Sequence, residues 1–545
     1  MTQMERRDFL TFLGAGSYAM LQSYQSIASS TKPSKVAKTS SAKDKVPFTP
    51  IQASSKDEFQ VAPEYKYDIL CKWNDPLGSS GVKGPESFGY NNDFTAFIPI
   101  NAREGKKSSS EGLLFVNHET VTPLFVTGYK GEGPRNAADI QKEKLNLGAS
   151  VLHIKQDLKT KKWSLVKDSK YTRRYTALYP EIAMSGPAKD DLVSGTGTYG
   201  NCSGGVTPWH TVLTCEENYD EVNRSENGLN WQSVPEEAVD EKKYGWVVEI
   251  DPFNEVTPKK HTALGRFAHE NAAVRISKDK KLVIYMGDDK ADQCLYKFVS
   301  SGRYSTKMSR QESSTLLESG TLFVADLQNK KWLPLDLQKN PKLQEAGFKS
   351  QSEVLIDTRR ASAAAGGSPL DRPEDCEIDP KDGSVYVAFT NNSNKKNHHG
   401  HILHLREKNN EAEALDFDFD IILAGGELSG ISCPDNMVFD PEGRLWVSCD
   451  ISSAKLSKEP YQAFANNGFY LVHLTGPERG KAIQFASAPV EAELTGPSFT
   501  PDGKTLFLSV QHPGEMSKDI SKPTSTWPNS DGSTPAPAVV VIQRR

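Results

Sequence analysis

Six short apolar runs in this chain, rich in β-branched and aromatic residues, each end on a small polar cluster. The clusters are Asn117-His118-Glu119, Glu216-Glu217-Asn218, Asp288-Asp289, Asn391-Asn392, Asp450 and Gln511-His512. Runs of this composition bounded by Gly and Pro read as buried strands. Four of them follow a turn signal, at 277–280, 379–383, 440–443 and 500–503. In the last three, Pro presets the turn and Gly supplies a positive φ. Those three turns recur about 60 residues apart, which predicts propeller blades or a similar array. Equivalent strands around one axis would bring their polar ends to one mouth. Glu-Glu, Asp-Asp and His-Glu pairs have no use in an apolar core, because buried charges must be paired or metal-bound. The predicted class is all-β, with a cation-binding mouth.

Composition leaves this picture intact. A chain of 545 residues has room for several domains or for one repeat-built domain. Hydrophobic content of 37% and charge of 25% fit a soluble globular protein. A net charge of −5, with no basic tract carrying interleaved aromatics, gives no reason to expect nucleic acid. No apolar run reaches the length needed to span a membrane.

The N-terminus adds an address. Glu5-Arg6-Arg7-Asp8-Phe9-Leu10 precedes a mildly apolar stretch and resembles a twin-arginine export signal. Residues 1–30 therefore read as a signal peptide, with cleavage near Ala28-Ser29-Ser30. Residues 31–60, rich in Ser, Lys, Thr and Pro, read as a flexible lead-in, and 61–545 as a single domain. Seven cysteines do not make a disulfide framework in a chain this long, and the odd number leaves at least one unpaired.

Several stretches carry more chemistry than a strand end. In the glycine-rich loop from Gly195 to Asn218, Cys202 offers either a thiolate for a soft or borderline metal or a small buried hydrophobe. Cys215 and Cys449 lie within strands and read as packing. In Gly265–Asn271, His269 and Glu270 face opposite ways on a strand, and Glu270 is the better oxygen donor. In Asp371–Glu377, Arg372 and Glu374 share a face of an extended segment, which pairs a fork-shaped anion binder with a metal ligand. Cys433-Pro434-Asp435-Asn436 precedes the fifth run. Many carboxylates, few histidines and one candidate thiolate argue against a zinc-only site. Oxygen-rich clusters suit calcium or another hard cation, and mixed oxygen and sulfur ligation suits iron. Several cations beside an arginine describe a phosphoryl-transfer site.

Together, Asn117-His118-Glu119, the Cys202 loop with Thr-Pro-Trp and Glu216-Glu217-Asn218, His269-Glu270, Asp288-Asp289, Arg372-Pro373-Glu374-Asp375 and Pro434-Asp435-Asn436 resemble the PhoX-type alkaline phosphatases, from about residue 65 to 515. The resemblance implies a six-bladed β-propeller with inter-strand insertions, twin-arginine export to the periplasm or beyond, and hydrolysis of phosphate monoesters in phosphate scavenging. It also implies ferric (Fe3+) and calcium (Ca2+) ions with a bridging oxo or hydroxo group as nucleophile. Carried over residue by residue, Cys202, Glu270 and Glu374 look like iron ligands. Glu119, Glu216, Asp288 or Asp289, and Asp435 look like calcium or bridging carboxylates, and Arg372 like the phosphate clamp. One departure is His210, which follows Thr-Pro-Trp where a small residue is expected; at the mouth it would bear on substrate preference. The expected partners are small phosphate esters and the export machinery, around a monomer. Two other functions compete. A calcium-dependent propeller lactonase or esterase needs only one cation and a base, so the surplus carboxylates, the loop thiol and Arg372 weigh against it. A non-catalytic, calcium-stiffened propeller would use insertions such as 218–245 and 300–370 to bind a partner.

Overall fold

Each of the six apolar runs forms a strand, and each is the second strand, counted from the axis, of its own sheet. The computed structural model describes residues 46–78, 87–192, 194–224, 229–529 and 531–545. Six sheets of four to six strands, antiparallel except where Lys259–His261 joins Glu181–Ser185, follow one another along the chain. Their innermost strands are Asn92–Pro99, Asn201–Val206, Ala273–Ile276, Pro373–Ile378, Pro434–Phe439 and Glu493–Phe499. Consecutive inner strands touch, and the last returns to the first. The fold is a six-bladed β-propeller, with apolar clusters filling the spaces between adjacent sheets.

The N-terminal chain closes the ring. Tyr65–Lys72 pairs with Ala538–Arg544 as the outer strand of the sixth blade, and Gln60–Val61 pairs with Ala482–Ser487 at the edge of the fifth. The described end of the segment read as a flexible lead-in differs from that expectation. Phe48 and Phe59 are 6% and 3% exposed. Phe48 lies against Trp446 and Phe485, Phe59 lies against Tyr67, and Ile51 N–H donates to Gln484 O at 3.2 Å. Two aromatic anchors outweigh the polar residues around them. The expected signal peptide, 1–30, and residues 31–45 lie outside the described residues.

The long insertions are part of the packing. Leu343, Val354, Leu355 and Ala361 of the 300–370 segment join the apolar cluster between the second and third blades. Trp231 of the 218–245 segment packs with Tyr199, Tyr219 and Tyr244.

Candidate metal centre

All six blades carry one extra residue where the inner strand leaves the mouth. Asn92 faces His118 and Thr95 faces Val116, so the inner strand bulges between them. The same irregularity separates Asn201 from Gly204, Pro373 from Cys376, Pro434 from Met437 and Thr495 from Ser498. In the third blade it falls between the His269–Asp288 bridge and the Ala273–Tyr285 pair. A bulge breaks the alternation of a strand and re-aims a side chain. The first bulged residue is Asp93, Cys202, Glu270, Glu374 and Asp435 in blades one to five, and all five line one cavity of about 350 Å3. In the sixth blade it is Gly496, with φ 56°, where a Cβ would lie 2.5 Å from Asp93 O. Glu493, at the start of that strand, reaches the cavity instead. Four of these strands are entered through a left-handed residue: Asn91, Gly200, Arg372 and Cys433, at φ 46°, 65°, 56° and 51°.

The residues beside the bulges lock neighbouring blades together. Asn117 Nδ2 donates to Cys202 O at 2.8 Å and Ser203 O at 3.0 Å. Asn271 Nδ2 donates to Cys376 O at 2.7 Å, Met437 N–H to Asp375 Oδ2 at 2.7 Å, and Gly496 N–H to Asn436 Oδ1 at 2.8 Å. Glu374 and Asp435 thus face the cavity, while the next residue in each strand holds the following blade.

The ends of the second strands supply Glu119, Glu217, Asp289, Asp450 and Gln511 from the other side. Distant cations decide which member of each acidic pair faces inward. Glu216, expected at the mouth, is instead fully buried against Lys260, with Nζ 2.6 Å from its Oε1. Glu217 takes the cavity position. Asp288 accepts a two-pronged contact from Arg359, at 2.9 and 2.6 Å, which leaves Asp289 to the cavity. His269 stacks on Phe267 and pairs through Nε2 with Gly265 O, leaving Glu270 inward. His210 is not at the mouth. It sits in the turn joining the strands Asn201–Val206 and Val212–Glu216, at the opposite end of the blade, where its carbonyl accepts from Arg310 Nη2 at 3.0 Å. Cys215 and Cys449 are buried in apolar clusters. The cavity carboxylates absent from the sequence-based ligand set are Asp93, Glu217, Glu221, Asp450 and Glu493.

Three groups of ligand atoms lie within 4.8 Å of one another: Asp93, Glu119 and Cys202; Cys202, Glu217 and Glu270; Glu270, Asp289 and Glu374. Shared Cys202 and Glu270 link the three into one continuous row. Asp435 lines the same cavity outside these groups. Cys202 Sγ donates to Asp93 Oδ2 at 3.3 Å and Glu270 Oε1 at 3.4 Å. Thr390 Oγ1 donates to Glu374 Oε1 at 2.6 Å, and Gln511 Nε2 to Glu119 Oε2 at 2.6 Å.

Ten carboxylates line this cavity, and Lys290 and Arg372 are the only lysine or arginine among the described residues that do so. Lys290 already binds Glu221 at 2.7 Å. Arg372 gives Nε and Nη2 to Asp289 at 2.8 and 2.7 Å, while its side chain keeps 27% exposure. Burial, and then repulsion from Glu374 and Asp435, raises the Glu270 carboxyl well above its ordinary range. Burial and Asp289 do the same to Glu374. Burial, then Asp93 and Glu270, lift the Cys202 thiol. Asp289 is the exception: burial opposes its charge, but Arg372 outweighs burial and holds it below the usual range. Carboxylates so crowded must be protonated or balanced by cations. A donor set of carboxylates with one thiol, and no imidazole among the described lining residues, fits hard cations together with one that accepts sulfur.

Known proteins fit this geometry. The family model described as alkaline phosphatase PhoX matches residues 46–514. Among solved structures, PhoX of Pseudomonas fluorescens in complex with vanadate, a transition state analogue, is 30% identical with a TM-score of 0.79, covering 91% of this chain and 98% of that one. A protein of unknown function from Dyadobacter fermentans is 9% identical with a TM-score of 0.38, over 89% of this chain and 100% of that one. A gluconolactonase from Xanthomonas campestris is 10% identical with a TM-score of 0.30, over 85% and 99%. The last two are too dissimilar to bear on function. None of the curated proteins matches the chain.

Proposed function

The chain belongs to the PhoX alkaline phosphatase family and is a phosphatase, and from its cavity we propose an exported enzyme that hydrolyses phosphate monoesters at an iron–calcium centre. The observation that carries this reading is the row of carboxylates around one thiol, with too few protein cations to balance it. Cys202, Glu270 and Glu374 would hold iron. Glu119, Asp289 and Asp435, joined by Asp93 and Glu217, would hold or bridge calcium. When bound, such ions supply charge neutralisation and Lewis acidity at a phosphoryl group.

The protein's own groups then position the substrate. Asp289 fixes the Arg372 guanidinium in one plane, so its remaining edge presents a fixed charge to phosphate without reorganisation. That the Pseudomonas protein binds vanadate, a transition state analogue, supports a phosphoryl occupant for this family member as well. The paired arginines at Arg6-Arg7 support twin-arginine export of a metal-loaded chain. No helix among the described residues is long and apolar enough to cross a membrane.

Elemental analysis of the purified protein tests the centre. Iron and calcium are expected together, with a visible ferric–thiolate absorption that Cys202→Ser removes along with the iron. A colourless wild-type protein that contains zinc alone would refute the assignment.

A further inference from the structure

Asn218 touches a carboxylate from each of two ligand groups. Its Nδ2 donates to Glu119 Oε1 at 2.9 Å and to Glu217 Oε2 at 2.5 Å, one at the end of a first-blade strand and one at the end of a second-blade strand. Its Oδ1 accepts from Lys290 Nζ at 3.1 Å, just beyond the strand Lys281–Gly287 of the third blade. The reverse orientation of this amide would set its oxygen against two carboxylates and its N–H groups against an ammonium, so the three neighbours allow one orientation only. Gln511 Nε2 takes the other oxygen of Glu119 at 2.6 Å. Each carboxylate oxygen has two lone pairs, so these contacts leave both glutamates able to bind a cation. Lys290 is itself anchored by Glu221 Oε1 at 2.7 Å, and it lines the acidic cavity together with Asp289, the residue before it.

We propose that Lys290 is a positioning residue for the calcium-binding carboxylates: acting through Asn218, it strengthens calcium binding although its own charge opposes it. The inference rests on the iron–calcium reading of the centre. Two effects of the ammonium run in opposite directions. An ammonium lining a cation site repels the cation, and Coulomb's law alone makes its removal tighten binding. Through Asn218 the effect is reversed. The ammonium polarises the amide, which strengthens both of its hydrogen bonds to carboxylate, and it fixes the side chain that holds Glu119 and Glu217 together before a cation arrives. Glu221 decides which effect wins, because it offsets the Lys290 charge and leaves the Asn218 contact in place. Hydrogen-bonded partners of metal ligands contribute roughly 10–100-fold to metal affinity, and Lys290, one step further out, belongs at the lower end.

The test is calcium affinity, measured calorimetrically on full-length, iron-loaded protein from which a chelator has removed calcium. Lys290→Met, which keeps an unbranched side chain without its charge, should weaken calcium binding about tenfold. In an Asn218→Ala background the same substitution has no amide to act through, so it should leave the affinity unchanged or tighten it. Misfolded protein lowers the number of ions bound per chain and leaves the dissociation constant of the folded fraction intact, so folding and affinity are read separately. Tighter or unchanged binding by Lys290→Met in the wild-type background overturns the inference, as does equal weakening in both backgrounds; either result leaves the iron–calcium reading standing. Failure of the unsubstituted protein to bind calcium defeats that reading and this inference with it.

Discussion

Arg372 occupies left-handed backbone space, φ 56°, immediately before Pro373. That conformation costs a non-glycine residue about 1–3 kcal/mol and persists only where the surroundings impose it. Here the Asp289 fork and the bulge at Glu374 impose it. If the guanidinium stabilises charge on a transferring phosphoryl group, Arg372→Ala should lower kcat/KM by roughly 10²–10³, about 3–4 kcal/mol. Arg372→Lys, which keeps the charge without the fork, should fall between. Metal content should stay normal in both. Near-wild-type turnover by the folded fraction of the alanine variant would reduce Arg372 to scaffolding. The neighbouring glutamates make a sharper pair. Glu216→Gln leaves Lys260 buried without its counter-charge and should cost about 3–5 kcal/mol in urea denaturation, with kcat per folded molecule preserved. Glu217→Gln should do the reverse, losing metal and activity but little stability. Sequence reasoning singled out Glu216 rather than Glu217 because adjacency alone cannot say which residue faces inward. The choice rests on Lys260, and at Asp288-Asp289 on Arg359, both far along the chain.

At the scale of elements, the second strands were legible because they are continuous apolar runs, buried on both faces. The inner strands were harder to see. Asn201-Cys202-Ser203-Gly204-Gly205 and Pro373-Glu374-Asp375-Cys376-Glu377 have neither an apolar run nor clean alternation, since each bulge breaks the period. Asp93 and Glu493 went unnoticed for that reason: they start inner strands rather than ending apolar runs. The N-terminal closure was hidden by composition. Its anchors are single aromatic residues in a polar stretch, and their partners Trp446 and Phe485 lie at the other end of the sequence. Phe48→Ala should therefore cost about 3–5 kcal/mol, the usual range for losing a buried phenyl ring. A thermal scan should show the loss while kcat/KM per folded molecule is unchanged. An unaltered midpoint would mean that the strap adds nothing to closure.

For the whole molecule, the propeller gathers one carboxylate or thiolate from most blades onto its axis, and this crowding links stability to pH and to cations. Burial pushes Asp375, beside the centre, up to about 8, and raises Glu217, Glu270 and Glu374 above their ordinary range. A carboxyl whose folded pKa lies above its unfolded value contributes stability below the unfolded value, near pH 4, and loses it as pH rises through the folded one. Metal-free protein should accordingly weaken between about pH 4 and about 8, and calcium should restore the loss by replacing protons at the cavity carboxylates. Denaturation midpoints taken across that range, with and without calcium, would reveal it; a flat profile in the metal-free protein would contradict the charge picture.

The central claim is that this ring of acids and one thiol works only with cations in place. Turnover of p-nitrophenyl phosphate during titration with a calcium-selective chelator tests it most directly. Activity should disappear on chelation and return with calcium, while magnesium, which demands shorter octahedral contacts, should restore it poorly. Full turnover after exhaustive calcium removal would contradict the account.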